Sequence, residues 1–332
     1  MRILVTGGAG FIGSHLCERL LGSGHEVWAL DDLSTGRAEN FRSYVESSRF
    51  HFVNGDVTQL STVRGLVESS DLVYHLAAAV GVRYVLENPL RSLTTNIRGT
   101  EVVLHAADLH RKKVIVFSSS EVYGKGTTVP FSEDDDRLLG PTQKLRWSYA
   151  CGKEVDECLA LSYHQQHQLP VVIVRCFNTC GPRQSAAYGM VIPNMIERAL
   201  RGQPILVFGD GQQTRCFSAV PDVVRGVMML ADSPAAIGQV FNIGTDEEVT
   251  VLDLAERVKR MCRSDSEIQR VPYEQVYGSS FEDMRRRVPD LTKIRRAVGY
   301  RPEVRLDQLL EMTIRETCEQ LGVPIPAGLA TA

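Results

Sequence analysis

The 332-residue chain sets 37 Lys and Arg against 40 Asp and Glu, for a formal net charge of −3, and has a pI near 6.3. That length holds one large α/β domain, or a domain with a smaller appendage, and the charge carries no signature of nucleic-acid binding. No apolar run approaches the roughly 20 residues of a membrane-spanning helix, and Met1 leads straight into the first strand with no room for a signal peptide, so the expectation is a soluble, cytoplasmic protein with neither membrane nor nucleic acid as partner.

Arg2 to Thr6 (RILVT) is an apolar, β-branched run that reads as a buried parallel strand. Thr6-Gly7-Gly8-Ala9-Gly10-Phe11-Ile12-Gly13 follows it. Gly7 permits the tight turn, Gly10 lets backbone approach a pyrophosphate, and Gly13 lets the next helix pack close to the strand. Phosphate would then meet free N–H groups at the positive end of a helix dipole. A second strand, Glu26 to Leu30, ends in Asp31-Asp32. Asp31 stands where an acid accepts hydrogen bonds from the adenosine ribose and repels a 2′-phosphate, which favours NAD over NADP. A glycine turn without a ligand is the other reading; strand, glycines, helix and acid in register weigh against it.

Further strand-like runs at 50–54, 72–76, 114–118 and 170–175 alternate with helical patterns, which predicts a Rossmann-type, doubly wound parallel sheet. The run 114–117 delivers Ser118-Ser119-Ser120-Glu121 to the C-terminal strand ends, where such sheets bind ligands. Tyr149 and Lys153 lie four apart at the start of a helical segment and share one face. An ammonium beside a phenol favours phenolate, so Lys153 is expected to lower the Tyr149 pKa toward neutrality and make the phenol a usable base. A lone YxxxK is common on helix surfaces, so this pair gains its weight from the two motifs before it.

Beyond residue 177 the pattern loosens into short helices near 191–201, 251–262 and 290–298, with Phe241 to Gly244 reading as a strand that returns to the main sheet. The expected division is a dinucleotide-binding domain over 1–176 with returning segments near 215–245, a mostly substrate-binding lobe over 177–320, and a surface tail over 321–332. The eight cysteines are scattered without a CxxC pair and read as free thiols, not disulfides or zinc ligands. No metal site is expected.

Three motifs are joined by His75-Leu76-Ala77-Ala78, Thr95-Asn96-Ile97, Arg175-Cys176-Phe177-Asn178, Gly181-Pro182-Arg183, Thr214-Arg215-Cys216-Phe217 and Arg287-Val288-Pro289-Asp290. With these, nearly the whole chain resembles the extended short-chain dehydrogenases/reductases that act on nucleotide-diphosphate sugars. The resemblance implies that NAD is held by Gly7, Gly10, Phe11, Ile12, Gly13, Asp31, Asp56, Val57, Leu76, Ala77, Ala78, Asn96, Tyr149 and Lys153. It implies that Arg83, Arg146, Asn178, Arg183, Arg215, Tyr277 and Arg287 meet a nucleotide sugar, with Asn178 and Arg215 on the diphosphate. An arginine fork suits two diphosphate oxygens, although Arg215 in a surface ion pair is an alternative. In this family Tyr149 would take the proton of the sugar C4 hydroxyl while hydride leaves C4 for NAD, and Ser119 would hydrogen-bond the same oxygen.

The 4-keto step is common to epimerases, dehydratases and decarboxylases, so neighbouring residues must discriminate. Dehydratases of the family carry Asp-Glu at positions 120 and 121; Ser120 argues against 4,6-dehydration. Ser119-Ser120-Glu121-Val122-Tyr123-Gly124 resembles the Thr-Ser-Glu-Val-Tyr-Gly of UDP-glucuronate decarboxylases, as do Lys144 to Tyr149 and the stretch from Tyr277 to Asp290. UDP-apiose synthases share the last two but carry a cysteine before the glutamate. On this reading the catalytic set is Ser119, Ser120, Glu121, Tyr149, Lys153 and Arg287: Arg287 positions the C6 carboxylate, and Glu121 orients the sugar and manages the C5 proton. Glu121 as a mere turn cap is the alternative. Gly81 to Pro89 instead resembles the loop of UDP-glucuronate 4-epimerases, which keeps a UDP-sugar 4-epimerase in play. A non-catalytic NAD-binding regulator is disfavoured, since Tyr149 and Lys153 are both present. The family resemblance also implies a homodimer through helices around 91–110 and 149–167, with Val102, Val103, Ala106, Leu159 and Leu161 as candidate apolar surface.

Overall fold

The computed structural model describes residues 1–277 and 284–329. In chain order the first half forms β1 (Arg2–Thr6), α1 (Phe11–Gly22), β2 (Glu26–Asp31), β3 (Phe50–Asn54), α2 (Leu60–Glu68), β4 (Leu72–His75), α3 (Val82–Glu87), α4 (Pro89–Leu109), β5 (Lys113–Ser119), α5 (Ser148–His167) and β6 (Val171–Cys176). Next come β7 (Thr179–Cys180), α6 (Val191–Leu200), β8 (Ile205–Phe208), β9 (Thr214–Cys216), β10 (Ser218–Ala219), α7 (Val220–Asp232) and β11 (Gln239–Ile243). The chain finishes with β12 (Glu248–Thr250), α8 (Val251–Met261), β13 (Ile268–Val271), α9 (Tyr273–Tyr277), β14 (Arg286–Arg287), α10 (Thr292–Val298) and α11 (Leu306–Leu321).

Seven strands of the described residues make one parallel sheet in the order β11-β6-β5-β4-β1-β2-β3. The doubly wound fold is therefore as expected, and each anticipated strand falls within a residue or two of its place. The period of two along each strand divides the apolar residues between two cores. Ile3, Val5, Ile115 and Phe117 face α1 and α7, while Leu4, Val114 and Val116 face α2, α4 and α5. Each fully buried aliphatic side chain contributes about 1.5–3 kcal/mol, so these two layers dominate the stability of the sheet. Strand order reverses between β1 and β4, which opens a crevice at the ends Thr6 and His75.

The later segments serve both this core and another. Val220, Val223 and Val227 of α7, Phe241 of β11 and Tyr300 join the core on one face of the main sheet. Ile192 and Ile196 of α6, Val207 of β8, Leu254 of α8 and Leu310 and Ile314 of α11 form a separate core. Helix α11 was not anticipated from the sequence, although Leu306, Leu309, Leu310, Thr313 and Ile314 repeat at helical spacing and Gly322 closes its end in a left-handed conformation. Past Gly322 the chain runs over the surface, with Val323 and Leu329 packed against that second core. Val102, Val103 and Ala106, considered above for an intersubunit surface, lie wholly inside the subunit, because their face of α4 covers the sheet. All eight cysteines are free, Cys151 and Cys158 being exposed. No helix among the described residues is long and apolar enough to cross a membrane.

Candidate active site

The crevice is a cavity of about 1000 Å³, wide enough for more than one small ligand. Its first wall is the turn after β1. Gly7 sits at φ +74°, where a methyl would strike the Ala77 backbone, and a methyl on Gly13 would strike the Gly7 carbonyl, so α1 starts tight on the strand. Gly10 precedes α1 with no side chain over its first N–H groups, and Gly10, Phe11, Ile12 and Gly13 line the cavity. This is an anion cradle at a helix N-terminus, and it fits a diphosphate. Asp31 lies beside it at the end of β2, where Ala9 N–H donates to Oδ2 at 3.0 Å and Leu33 N–H to Oδ1 at 2.9 Å. Burial raises the Asp31 pKa, against those backbone donors. The carboxylate keeps acceptor capacity for a ribose hydroxyl.

Asp56, Val57, Leu76, Ala77 and Ala78 line the same wall. Asn96 acts from behind it: its amide oxygen accepts from Ala79 N–H at 2.7 Å and its amide N–H donates to Ala79 O at 3.3 Å, which shapes the loop without lining the cavity. The donors, the acid and the shaped loop together fit a dinucleotide.

The second wall comes from β5 and α5. Ser119 ends β5 and its hydroxyl caps the following turn by accepting from Glu121 N–H at 3.2 Å. Capping thus belongs to Ser119, and the Glu121 carboxylate is free for other work. Oε2 lies 2.6 Å from Arg146, and Oε1 accepts from Arg287 Nη1. Burial would raise the Glu121 pKa, but Arg146 and Arg287 together hold it down to about 2. Ser120 is 1 % exposed, and its hydroxyl has no hydrogen-bond partner among the described residues. The same is true of the Arg287 Nε, whose side chain lines the cavity.

Tyr149 and Lys153 project from α5 into this space, with Lys153 Nζ donating to Phe117 O and Asp156 Oδ2, each at 3.0 Å. Lys153 lowers the phenol pKa as expected, but the net fall toward neutrality does not hold for the free protein. Burial raises the pKa, and the anions Glu121 and Asp156 add to that rise, while Lys153 and the Ser119 hydroxyl only oppose it. Asp156, three residues after Lys153 on the same helix, is the anion set against the ammonium; it was not anticipated from the sequence, although the spacing shows it.

The third wall belongs to the smaller sheets. β14 pairs in parallel with β9 so that Arg287 lies in register with Arg215. Arg215 is 6 % exposed and lines the cavity, so it is not a surface residue. Asn178 also lines it, with its amide donating to Cys216 O at 2.9 Å and its own φ at +34°. Arg183 lines it too, held to Glu18 of α1 at 2.5 Å. Arg83 is two-thirds exposed and paired with Glu87 at 2.8 Å, so the structure puts it at the rim. Tyr277 ends α9, but its side chain lies outside the described residues. Leu206, Phe208, Gln213 and Tyr273 also face the cavity; the apolar run before Gly209-Asp210-Gly211 is a sequence signal for the first two only.

A model of the GDP-mannose 4,6 dehydratase family matches residues 4–313. The chain is 42% identical over 315 residues to a UDP-N-acetyl-alpha-D-glucosaminuronate decarboxylase of Bacillus cytotoxicus, which spans 95% of this chain and 97% of that protein. It is 37% identical over 325 residues to UDP-glucuronic acid decarboxylase 6 of Arabidopsis thaliana, spanning 98% of this chain and 91% of that one. Among solved structures, the UDP-glucuronic acid 4-epimerase of Bacillus cereus in complex with UDP-glucuronic acid and NAD superposes with a TM-score of 0.87 at 32% identity, over 97% of this chain and 100% of that one. With the glycine cradle, the Ser119-Tyr149-Lys153 cluster and the parallel sheet already in place, these similarities establish that the chain belongs to the extended short-chain dehydrogenases/reductases that modify nucleotide sugars.

Proposed function

We propose that the protein uses NAD to decarboxylate a UDP-linked uronic acid through a 4-keto intermediate, with UDP-glucuronate as substrate and UDP-xylose or its 4-keto precursor as product. One observation carries this reading. Two guanidiniums, Arg146 and Arg287, meet a single carboxylate, Glu121, at the buried end of the cavity. A substrate carboxylate would complete the site at Arg287, whose Nε has no hydrogen-bond partner among the described residues. A neutral hexose has no carboxylate to offer that guanidinium.

Bound NAD would supply the hydride acceptor for sugar C4 and the hydride that is later returned there. Tyr149 accepts the C4 hydroxyl proton, and Ser119 hydrogen-bonds the same oxygen. Once C4 is a ketone, the C6 carboxylate is a β-keto acid, so the electrons left by departing CO₂ move onto the C4 oxygen. Tyr149 and Ser119 stabilise that enolate. The enolate then takes a proton at C5 from water, which Glu121, ionised throughout the neutral range, would hold and orient. Arg215 and Asn178 take the diphosphate, and the smaller sheets around Arg215 and Arg287 form the substrate lobe.

Mass spectrometry after incubation with NAD and a panel of UDP-sugars tests the proposal: loss of CO₂ from UDP-glucuronate is expected. The panel includes the 2-acetamido uronate named for the Bacillus cytotoxicus relative, and CO₂ loss from that compound alone would move the assignment to it. The 4-epimerase reading is supported by Gly81 to Pro89, folded as α3 on the cavity. Unchanged mass with altered retention would favour it, and a chain inert toward every sugar in the panel would point to a regulator.

For the cofactor, Asp31→Ala should weaken NAD binding by about tenfold or more, because charge-assisted hydrogen bonds to the ribose are worth about 1.5–3 kcal/mol. NADP binding should change little, so the discrimination narrows; calorimetric titration with both dinucleotides measures it, and an NADP preference in the wild type contradicts the assignment. We further infer a cytoplasmic homodimer that pairs through α4 and α5. Free thiols support the compartment. A light-scattering mass of 36.9 kDa at all concentrations would reject the dimer.

A further inference from the structure

Helix α5 buries a polar stripe. Lys153, Asp156 and Glu157 are 3 %, 0 % and 1 % exposed, on the face packed against the sheet where an amphipathic helix ordinarily sets aliphatic residues. Glu157 has a structural purpose: it takes the Arg175 guanidinium in a fork at 2.9 and 2.8 Å and accepts from Ser118 Oγ at 2.5 Å. Asp156 has no such arginine. Its cation is Lys153, at 3.0 Å.

A buried line of polar contacts begins beside Asp156. Thr100 of α4 lies next to the carboxylate; its Oγ1 meets His75 Nε2 at 3.0 Å, and His75 Nδ1 meets Thr6 Oγ1 at 2.8 Å. Thr6 Oγ1 accepts from Ala77 N–H at 3.2 Å. Asp156 Oδ1 has no hydrogen-bond partner among the described residues, so Lys153 is what the carboxylate holds. Of the lysine's three N–H groups, Phe117 O and Asp156 take two, leaving one on an ammonium that lines the cavity.

We propose that Asp156 is a positioning residue for the Tyr149–Lys153 pair, anchoring the ammonium from the protein side and opposing its field at the phenol. This rests on Tyr149 being the base of the reaction. The groups facing Lys153 and Asp156 are Tyr149 and Glu157 on α5, Glu121 after β5, His75 on β4, Cys176 at the end of β6 and Thr100 on α4. Burial, with Lys153 adding to it, holds His75 down to about 3, and burial pushes Cys176 up to about 12, so both are neutral near pH 7. Glu121 and Glu157 are each claimed by arginines. Asp156 is the anion whose loss changes what Lys153 does to Tyr149.

The sign follows. Without the Asp156 charge, the ammonium acts on the phenol unopposed and phenolate forms at lower pH. The ammonium also loses its partner and deprotonates at lower pH. Asp156→Asn should therefore move both limbs of the kcat–pH profile toward acid by about one unit, with kcat at the wild-type optimum down about tenfold and KM for the UDP-sugar within about threefold. In the free protein, the phenolate absorbance of Tyr149, read as the difference from the same protein carrying Tyr149→Phe, should show the same displacement. Asp156→Glu should restore the limbs toward wild type. Should Asp156→Asn fail to fold, Asp156→Ser reads the same shift.

Limbs and phenolate onset that stay in place, whatever happens to thermal stability, overturn the proposal and leave Asp156 a structural residue. A Tyr149→Phe variant with near-wild-type turnover would instead overturn the assignment of the base. If that variant is inactive while the Asp156→Asn limbs stay fixed, only the role of Asp156 falls.

Discussion

Replacing Tyr149 with phenylalanine should cut turnover about a thousandfold, the usual scale for removing a general acid–base group. Phenylalanine keeps the ring that fills the space between Ser119 and Lys153, so the fold and the glycine cradle should be unaffected, and NAD affinity by calorimetry should stay within a few-fold. The size of the loss follows from the site. Ser119 is the other hydroxyl at the C4 position, and Lys153 is held back by Phe117 O and Asp156, so neither replaces the phenol as a proton acceptor. In the free protein the phenol is held above its ordinary pKa by burial and by Glu121 and Asp156. Wild-type kcat should accordingly rise with pH across the neutral range. Tyr149→Phe turnover within tenfold of wild type, in protein shown to be folded, would remove the mechanism.

Arg287→Ala and Glu121→Gln form the second large prediction, and they should fail in different ways. Truncating one side of a buried charge pair costs about 2–5 kcal/mol, so Arg287→Ala should raise KM for UDP-glucuronate by about a hundredfold while leaving NAD binding alone. Glu121→Gln should spare substrate binding, because both guanidiniums then lack their resident anion and the uronate has less competition for Arg287. Its kcat for CO₂ release should nevertheless fall about a hundredfold, as the group facing C5 loses its charge. Because the folded pKa of Glu121 is about 2, the stability its ionised form contributes is present above the ordinary carboxylate range and lost only as pH falls through that value. Neutral-pH assays therefore see one charge state. A mild Glu121→Gln together with faster turnover of UDP-glucose than of UDP-glucuronate would refute decarboxylation, leaving the fold, the cofactor site and Tyr149 in place.

Much of this molecule is legible in one dimension. The strand runs, the glycine turn, Asp31 at the end of β2 and the Tyr149–Lys153 spacing are local patterns, set by the two-residue period of strands, the backbone freedom of glycine and the pitch of a helix. Because a doubly wound sheet sends every strand's C-terminal end to one edge, local pattern also implied that Ser119, Tyr149 and the glycine turn would meet. Tertiary structure alone decided the charges around them. Arg287 reaches Glu121 across 166 residues only because β14 pairs with β9. Arg146 closes on the same carboxylate from the turn before α5. Asp156 shares a face with Lys153 by spacing, but packing decides that this face is the buried one. Val102, Val103 and Ala106 are core and not interface for the corresponding reason on α4. Spacing in sequence determines which side chains share a face of one element, but which face is buried, and which distant charge lies opposite, is fixed by packing between elements. The strength of a buried charge depends on that packing, since it sets both the partner and the exclusion of water.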